Sequence, residues 1–159
     1  MKKHLTFILS FTFMMIFSQI ENIKNGEKIT LRIHYGFLNA GYATLTANQV
    51  NYRNAPHYRV TGVGKSTGAT RAFFKVDDVY ESYINIATGL PSHYVRNVSE
   101  GGYKRHFETD FNHDNQTLVL TNKLDKTSKN FKTVKGIQDM ISAFYYLRSM
   151  DASNFKVGS

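Results

Sequence analysis

The chain reads as all-β with one α-helix: an antiparallel β-barrel-like or half-barrel sheet of about eight strands, with the helix near the C-terminus. Three observations carry that reading. Apolar and polar side chains alternate with period two in segment after segment. Turn residues recur at intervals of roughly 8–12 residues, as in antiparallel sandwiches and barrels. One stretch only, Ile137 to Met150, changes to helical spacing.

Lys28 to Tyr35 alternates cleanly, with Ile29, Leu31, Ile33 and Tyr35 on one side and Thr30, Arg32 and His34 on the other. Gly36 to Gly41 reads as a short connection, and Tyr42 to Val50, rich in Thr and Tyr, as a second strand. Asn54 and Pro56 mark a turn into a third strand, His57 to Val63. Lys75 to Ile86 is the longest strand candidate, with Val76, Tyr80, Ile84 and Ile86 on one parity, and Gly89 and Pro91 close it. Ser92 to Ser99 and Tyr103 to Phe111 form a hairpin across Glu100, Gly101 and Gly102. Asp114 and Asn115 turn the chain into Thr117 to Lys123, and a weaker strand covers Thr127 to Val134. In the final stretch Ile137, Met140, Ile141, Phe144, Tyr145 and Arg148 share one helix face. Asp139 near its start and Arg148 near its end both suit the helix dipole, and the helix is expected to lie on the sheet as a plug or lid.

Composition bounds the function. The 159 residues include 20 Lys and Arg against 12 Asp and Glu, for a formal charge of +8. No cysteine is present, which excludes disulfides, thiolate catalysis, zinc fingers, iron–sulfur ligation and a thiol-linked lipid anchor. A hydrophobic fraction of 42% is too high for a disordered chain. Lys2 and Lys3 precede an uncharged run from Leu5 to Phe17, a run of signal-peptide length that falls short of the ~20 residues of a spanning helix. Residues 1–18 are therefore expected to be a signal peptide cleaved after Ser18, leaving 19–159 as a single antiparallel β domain. The expected location is exported, in the periplasm or associated with the outer membrane, with no transmembrane helix after cleavage. Nucleic acid is not an expected partner in that compartment, and no cofactor is called for. The basic residues are mostly scattered. Lys123, Lys126, Lys129, Lys132 and Lys135 recur every three residues and read as a solvated edge.

Several motifs resemble chemistry and fail on spacing. Gly62 to Thr67 reads GVGKST, but a phosphate loop needs glycine where Arg59 stands. His34, His57, His93, His106 and His113 show no metal-ligand spacing; His93 and His106 converge only if their hairpin brings them together. Asp77, Asp78 and Glu81 invite a paired-carboxylate reading, against which stands an ordinary solvent face neutralised by Lys75 or Arg71. There is no Gly-x-Ser-x-Gly nucleophile elbow. The sequons at Asn97 and Asn115 are matches of a kind common by chance. No enzymatic activity is expected.

Four strings together resemble a known family. They are Gly26-Glu27-Lys28 leading into His34-Tyr35-Gly36-Phe37-Leu38-Asn39-Ala40-Gly41-Tyr42-Ala43, Phe73 through Tyr83 followed by Thr88-Gly89-Leu90-Pro91, Glu100-Gly101-Gly102-Tyr103-Lys104, and Asp139 through Ser149 with its Phe-Tyr-Tyr-Leu-Arg core. They resemble the exported bacterial family called domain of unknown function 3108. The resemblance implies a β-barrel-like domain in a Gram-negative envelope, with no established activity and no catalytic residues to carry over. It also implies further strands beyond the helix, so the domain is expected to be incomplete at its C-terminus.

Two functions from different classes follow. In the first, the barrel or half-barrel holds a lipid or other apolar or amphipathic small molecule, lined by Ile33, Tyr35, Val76, Tyr80 and Phe107 from the apolar parity of several strands. Barrels of about eight strands can enclose one such ligand or be filled by their own side chains, and ten tyrosines suit a lining that is apolar yet hydrogen-bonding. In the second, the chain is a structural or assembly protein of the envelope that meets a protein partner through its basic rim and sheet edge.

Overall fold

The computed structural model describes residues 23–36 and 38–151. The expected signal peptide, its cleavage point and the last eight positions lie outside the described residues. Eight strands follow one another in chain order: β1 (Lys28–Tyr35), β2 (Leu38–Tyr52), β3 (Ala55–Ser66), β4 (Asp77–Asn85), β5 (Pro91–Glu100), β6 (Tyr103–Asn112), β7 (Thr117–Asn122) and β8 (Thr127–Lys132). A short helix α1 (Gly68–Phe73) sits between β3 and β4, and α2 (Met140–Ser149) follows β8.

Each strand pairs antiparallel with its sequence neighbours, giving one eight-stranded sheet in the order β1 to β8. The sheet is not closed, because β1 and β8 are its two edges. Two-residue turns make this meander economical. Arg53 and Asn54 take positive φ of 52° and 61°, the primed geometry whose twist matches the flanking strands. Gly101, at φ 60°, begins the β5–β6 turn.

Directly paired residues share a face, so the register defines two faces. One carries Leu45 and Ala47, then Tyr58 and Val60, then Tyr80, Ser82 and Ile84, then Tyr94. On this face α2 is laid down, and Ile23, Ala47, Val60, Ile84, Ile141 and Tyr145 form the buried core. The other face is polar at most positions. Its main aromatic cluster is Tyr52, His57, Tyr83 and His93, with Arg53 and Arg59 over the rings of Tyr52 and Tyr83.

Helix α2 is fixed at both ends. Asp139 is its N-cap: one carboxylate oxygen accepts from the N–H groups of Ile141 and Ser142, both at 2.8 Å, and the other from Ser82 Oγ of β4 at 2.6 Å. Ser142 Oγ accepts from the Asp139 N–H and completes a reciprocal capping box. At the other end Arg148 pairs with Glu27 at 2.9 Å and lies over the Tyr145 ring.

Several expected boundaries are corrected. The longest strand is β2, not the Lys75–Ile86 segment. The connection expected at Gly36 to Gly41 shrinks to positions 36 and 37, because Leu38 to Gly41 already pair with β1 or β3. Helix α1 was not expected. Lys75 and Val76 precede β4, and Val76 makes only an isolated bridge with Glu100. Helix α2 begins at Met140, since the Asp139 cap excludes Ile137 and Gln138 from it.

Candidate functional site

An apolar groove of about 340 Å³ lies on the α2-bearing face, at the end of the sheet away from the helix's buried contacts. Its origin is a run of missing side chains. Ala40, Gly41 and Ala43 of β2 and Gly64 of β3 supply the floor, while Ile33 of β1, Tyr80 of β4 and Val76 stand around it. A Cβ placed on Gly64 meets only the Asp78 Cβ, at 3.7 Å, so the space over it is open. A second cavity of about 140 Å³ shares Ala43, Gly64 and Tyr80 and ends on Met140 and Ile141 of α2. The two adjoin as a trough from the β3–β4 connection to the helix.

The connection containing α1 borders the groove and is strapped in place. Arg71 donates to both carboxylate oxygens of Asp77, each at 3.0 Å, and to the Val76 carbonyl at 3.1 Å. The Val76 N–H donates to Ser66 Oγ at 2.9 Å. The Arg71 hydrogen bond holds the Asp77 carboxyl below the usual carboxylate range. Asp78, one residue on, points to the groove face, is buried, and accepts the Ser99 N–H at 2.9 Å. Glu100 hydrogen-bonds to Asp78, and that contact with a second carboxyl raises the Glu100 pKa. Burial pushes the Tyr80 hydroxyl up as well, with Asp78 adding to it and Arg96 opposing. The groove is thus an apolar slot with a buried carboxyl, Asp78, at its side and a second, half-buried one, Glu100, bonded to it.

The structure brings three of the five expected lining residues together: Ile33, Val76 and Tyr80 border the same groove. Phe107 does not join them. It lines a separate cavity of about 330 Å³ with Leu120 and Phe131, because the cross-strand row from Tyr80 passes through Arg96 before reaching it. Tyr35 pairs with Leu38 at the end of β1, and its side chain lies outside the described residues.

The other motifs resolve as structure. Gly62 to Ser66 is the end of β3, fully in the ladder with β2, so no loop is available to wrap a phosphate. His93 pairs across the sheet with Asp110 and His106 with Asn97, so the two histidines do not converge. His93 Nδ1 lies 2.8 Å from Asp110 Oδ1. His57, buried, spans the Ala55 carbonyl and Ser92 Oγ at 2.9 and 2.8 Å, a clasp between β3 and the bulge that begins β5. Among the described residues no group of three or more His, Asp or Glu is placed to hold a metal ion. Asp77 is taken by Arg71 and Lys75, Glu81 by Arg59 at 2.6 Å, and Asp78 faces the other way. Among the described residues no helix is long and apolar enough to cross a membrane.

Sequence reasoning missed Gly64, Ala43 and Asp78 as groove residues. The signal was present in the alternation of Gly62 and Gly64 within a strand, which marks a close approach or an empty site, but it drew attention as part of an apparent phosphate loop.

No curated protein and no solved structure matches the chain. A family model described as "Protein of unknown function (DUF3108)" matches residues 30–159. That span takes in nearly all of β1, the groove-forming strands, the open sheet and α2, and on it the chain belongs to the DUF3108 family.

Proposed function

We propose that the chain is an exported cell-envelope protein that binds an apolar or amphipathic small molecule along the groove. One observation carries the reading: a slot of about 340 Å³, floored by Gly41, Ala43 and Gly64 and flanked by Ile33, Val76 and Tyr80, of the size and apolar character common to small-molecule sites. The export component rests on Lys2, Lys3 and the uncharged run from Leu5 to Phe17. The role is binding rather than catalysis: the carboxyls nearest the slot are engaged, Asp77 by Arg71 and Lys75, Asp78 by the Ser99 N–H and Glu100 by Asp78.

Dansylated undecanoic acid tests this reading. Its emission is expected to rise on binding and saturate at one probe per chain. Gly64→Val fills the slot from its floor, where an added Cβ has room, and is expected to weaken the probe at least tenfold, about 1.4 kcal/mol, with an unchanged urea midpoint. Equal affinity in both chains would remove the groove as the site. A second reading, assembly with an envelope protein, is favoured by the β1 edge, where Leu31 and Ile33 are about half exposed. It predicts no saturable probe binding and a stable partner in cross-linking.

A further inference from the structure

The end of the sheet that borders the groove carries a second feature, whose aromatic residues are not among those lining the groove. The register brings the β3–β4 connection and the β5–β6 turn to the same end, where Val76 bridges Glu100 and the Gly101 N–H donates to the Lys75 carbonyl at 2.8 Å. Phe73 is 90% exposed and Phe74 50% at this end, where Tyr103, 46% exposed, opens β6 after the turn. In water such a cluster is unfavourable, and Phe73, so largely exposed, adds little to the packing of the fold.

The tip is held in shape rather than loose. Phe74 donates its N–H to the Thr70 carbonyl at 2.7 Å, and its ring packs so closely on Gly101 that a Cβ there would lie 2.8 Å away. Arg71 ties the helix to the start of β4. The Phe73 side chain therefore projects from a rigid support.

Cations surround it. Lys65, Lys75, Lys104 and Arg105 are exposed at this end. Lys123 and Lys126 stand further back, where the β7–β8 turn is level with His106. Of the nearby acids, Asp77 is spanned by Arg71 and Lys75, Asp78 is buried, and Glu100 is bonded to Asp78. Among the described residues the turns at the opposite end, 53–54, 86–90 and 113–116, present no large exposed apolar side chain, and the segment after β8 at that end exposes one, Val134. Helix α2 exposes Met140 and Leu147, but its one basic residue, Arg148, is paired with Glu27.

From this juxtaposition we propose that the Phe73–Phe74 tip and its ring of lysines and arginines dock on an anionic phospholipid bilayer. The phenylalanine rings bury at the boundary between headgroups and acyl chains, as the apolar anchors of surface-bound segments do, and the cations meet lipid phosphates. Apolar insertion and electrostatic attraction are the two contributions on which surface binding depends.

The chain contains no tryptophan, so Phe73→Trp in the full chain places a single reporter at the tip. With vesicles containing phosphatidylglycerol its emission is expected to shift to the blue and to be quenched by lipids spin-labelled near the headgroup. Phosphatidylcholine vesicles are expected to give little of either effect. Adding Lys104→Glu and Arg105→Glu is expected to raise the lipid concentration for half-maximal shift at least tenfold. Both substituted residues are exposed strand positions, and a matching far-ultraviolet circular dichroism spectrum checks the fold. An unshifted emission with anionic vesicles overturns the proposal, as does an equal shift on both vesicle types or indifference to the charge reversal. Gly64→Val is expected to leave this readout unaltered, since Gly64 lies on the groove floor and not at the tip, so the two proposals fail or succeed independently.

Discussion

Asp139 shows how much one side chain can hold. It caps α2, accepts the Ser82 hydroxyl of β4, and is buried. Burial raises its pKa above the ordinary 3.8, even though hydrogen bonds from Ser82, Ser142 and Ile141 pull it down. The folded state therefore holds the proton more tightly than the unfolded one. The stability linked to that proton is fully present below the unfolded value and is lost as pH rises through the folded value. Asp139→Asn retains an acceptor for the helix N–H groups and cannot titrate. The stability of the parent relative to Asp139→Asn should fall as pH rises from about 4 towards neutrality, read from urea midpoints at each pH. Taking the difference cancels groups such as Asp77, whose Arg71 hydrogen bond lowers its pKa in both chains. A difference that is flat or rises with pH contradicts the assignment. Asp139→Ala, by contrast, leaves two helix N–H groups and the Ser82 hydroxyl without their acceptor and should cost about 2–3 kcal/mol at pH 7.

At the scale of the element, the β2–β3 pair decides both the fold and the groove. The two strands are in register from Gly41–Ser66 to Tyr52–Ala55. A Cβ on Gly41 would lie 2.4 Å from the Lys65 carbonyl oxygen, whereas one on Gly64 meets nothing nearer than 3.7 Å. Gly41→Ala should therefore force the strand ends apart and cost about 1–3 kcal/mol, while Gly64→Ala should stay within about 1 kcal/mol of the parent. Urea midpoints for the two variants check the contrast, and equal costs would mean that the strands do not approach as described. The same pair shows what the sequence made legible. β1 is found where its alternation places it, and β6 within one residue, because each has one apolar and one polar side. The start of β2 was unreadable, since Asn39, Ala40 and Gly41 look like a turn until Gly41 is seen to permit close pairing. Helix α1 spans six residues, too few for a helical period to emerge. Parity placed Ile33 and Tyr80 on one face, and with Val76 they meet in the groove. It could not separate them from Phe107, which depends on strand order. Gly64 escaped notice because a groove floor is made by side chains that are absent.

Across the whole molecule, stability should follow distance from the covered middle of the sheet. Val60, Ser82 and Ile84 are completely buried, under α2 and between paired strands on either side. Every residue of β8 is exposed, and its neighbour β7 contributes no fully buried side chain. In an edge strand alternate amides point away from the only partner, so half of the β8 N–H groups face outward. Lys129 and Lys132 there, and Lys28 and Arg32 on β1, put charge on both edges, a common defence against pairing with other chains. Local opening should then grade from the global unfolding free energy in β3 and β4 down to fraying in β8. Amide hydrogen exchange should find Val60, Ser82 and Ile84 slowest and the amides of 127–132 faster by a factor of about 100 or more. If β8 proves as protected as β3, that edge is covered in solution, and dilution identifies the cover. Protection that falls on dilution belongs to a second chain, whereas protection that persists belongs to the same chain. Either result would mean that the β8 edge is covered in solution and that the eight-stranded sheet does not end there.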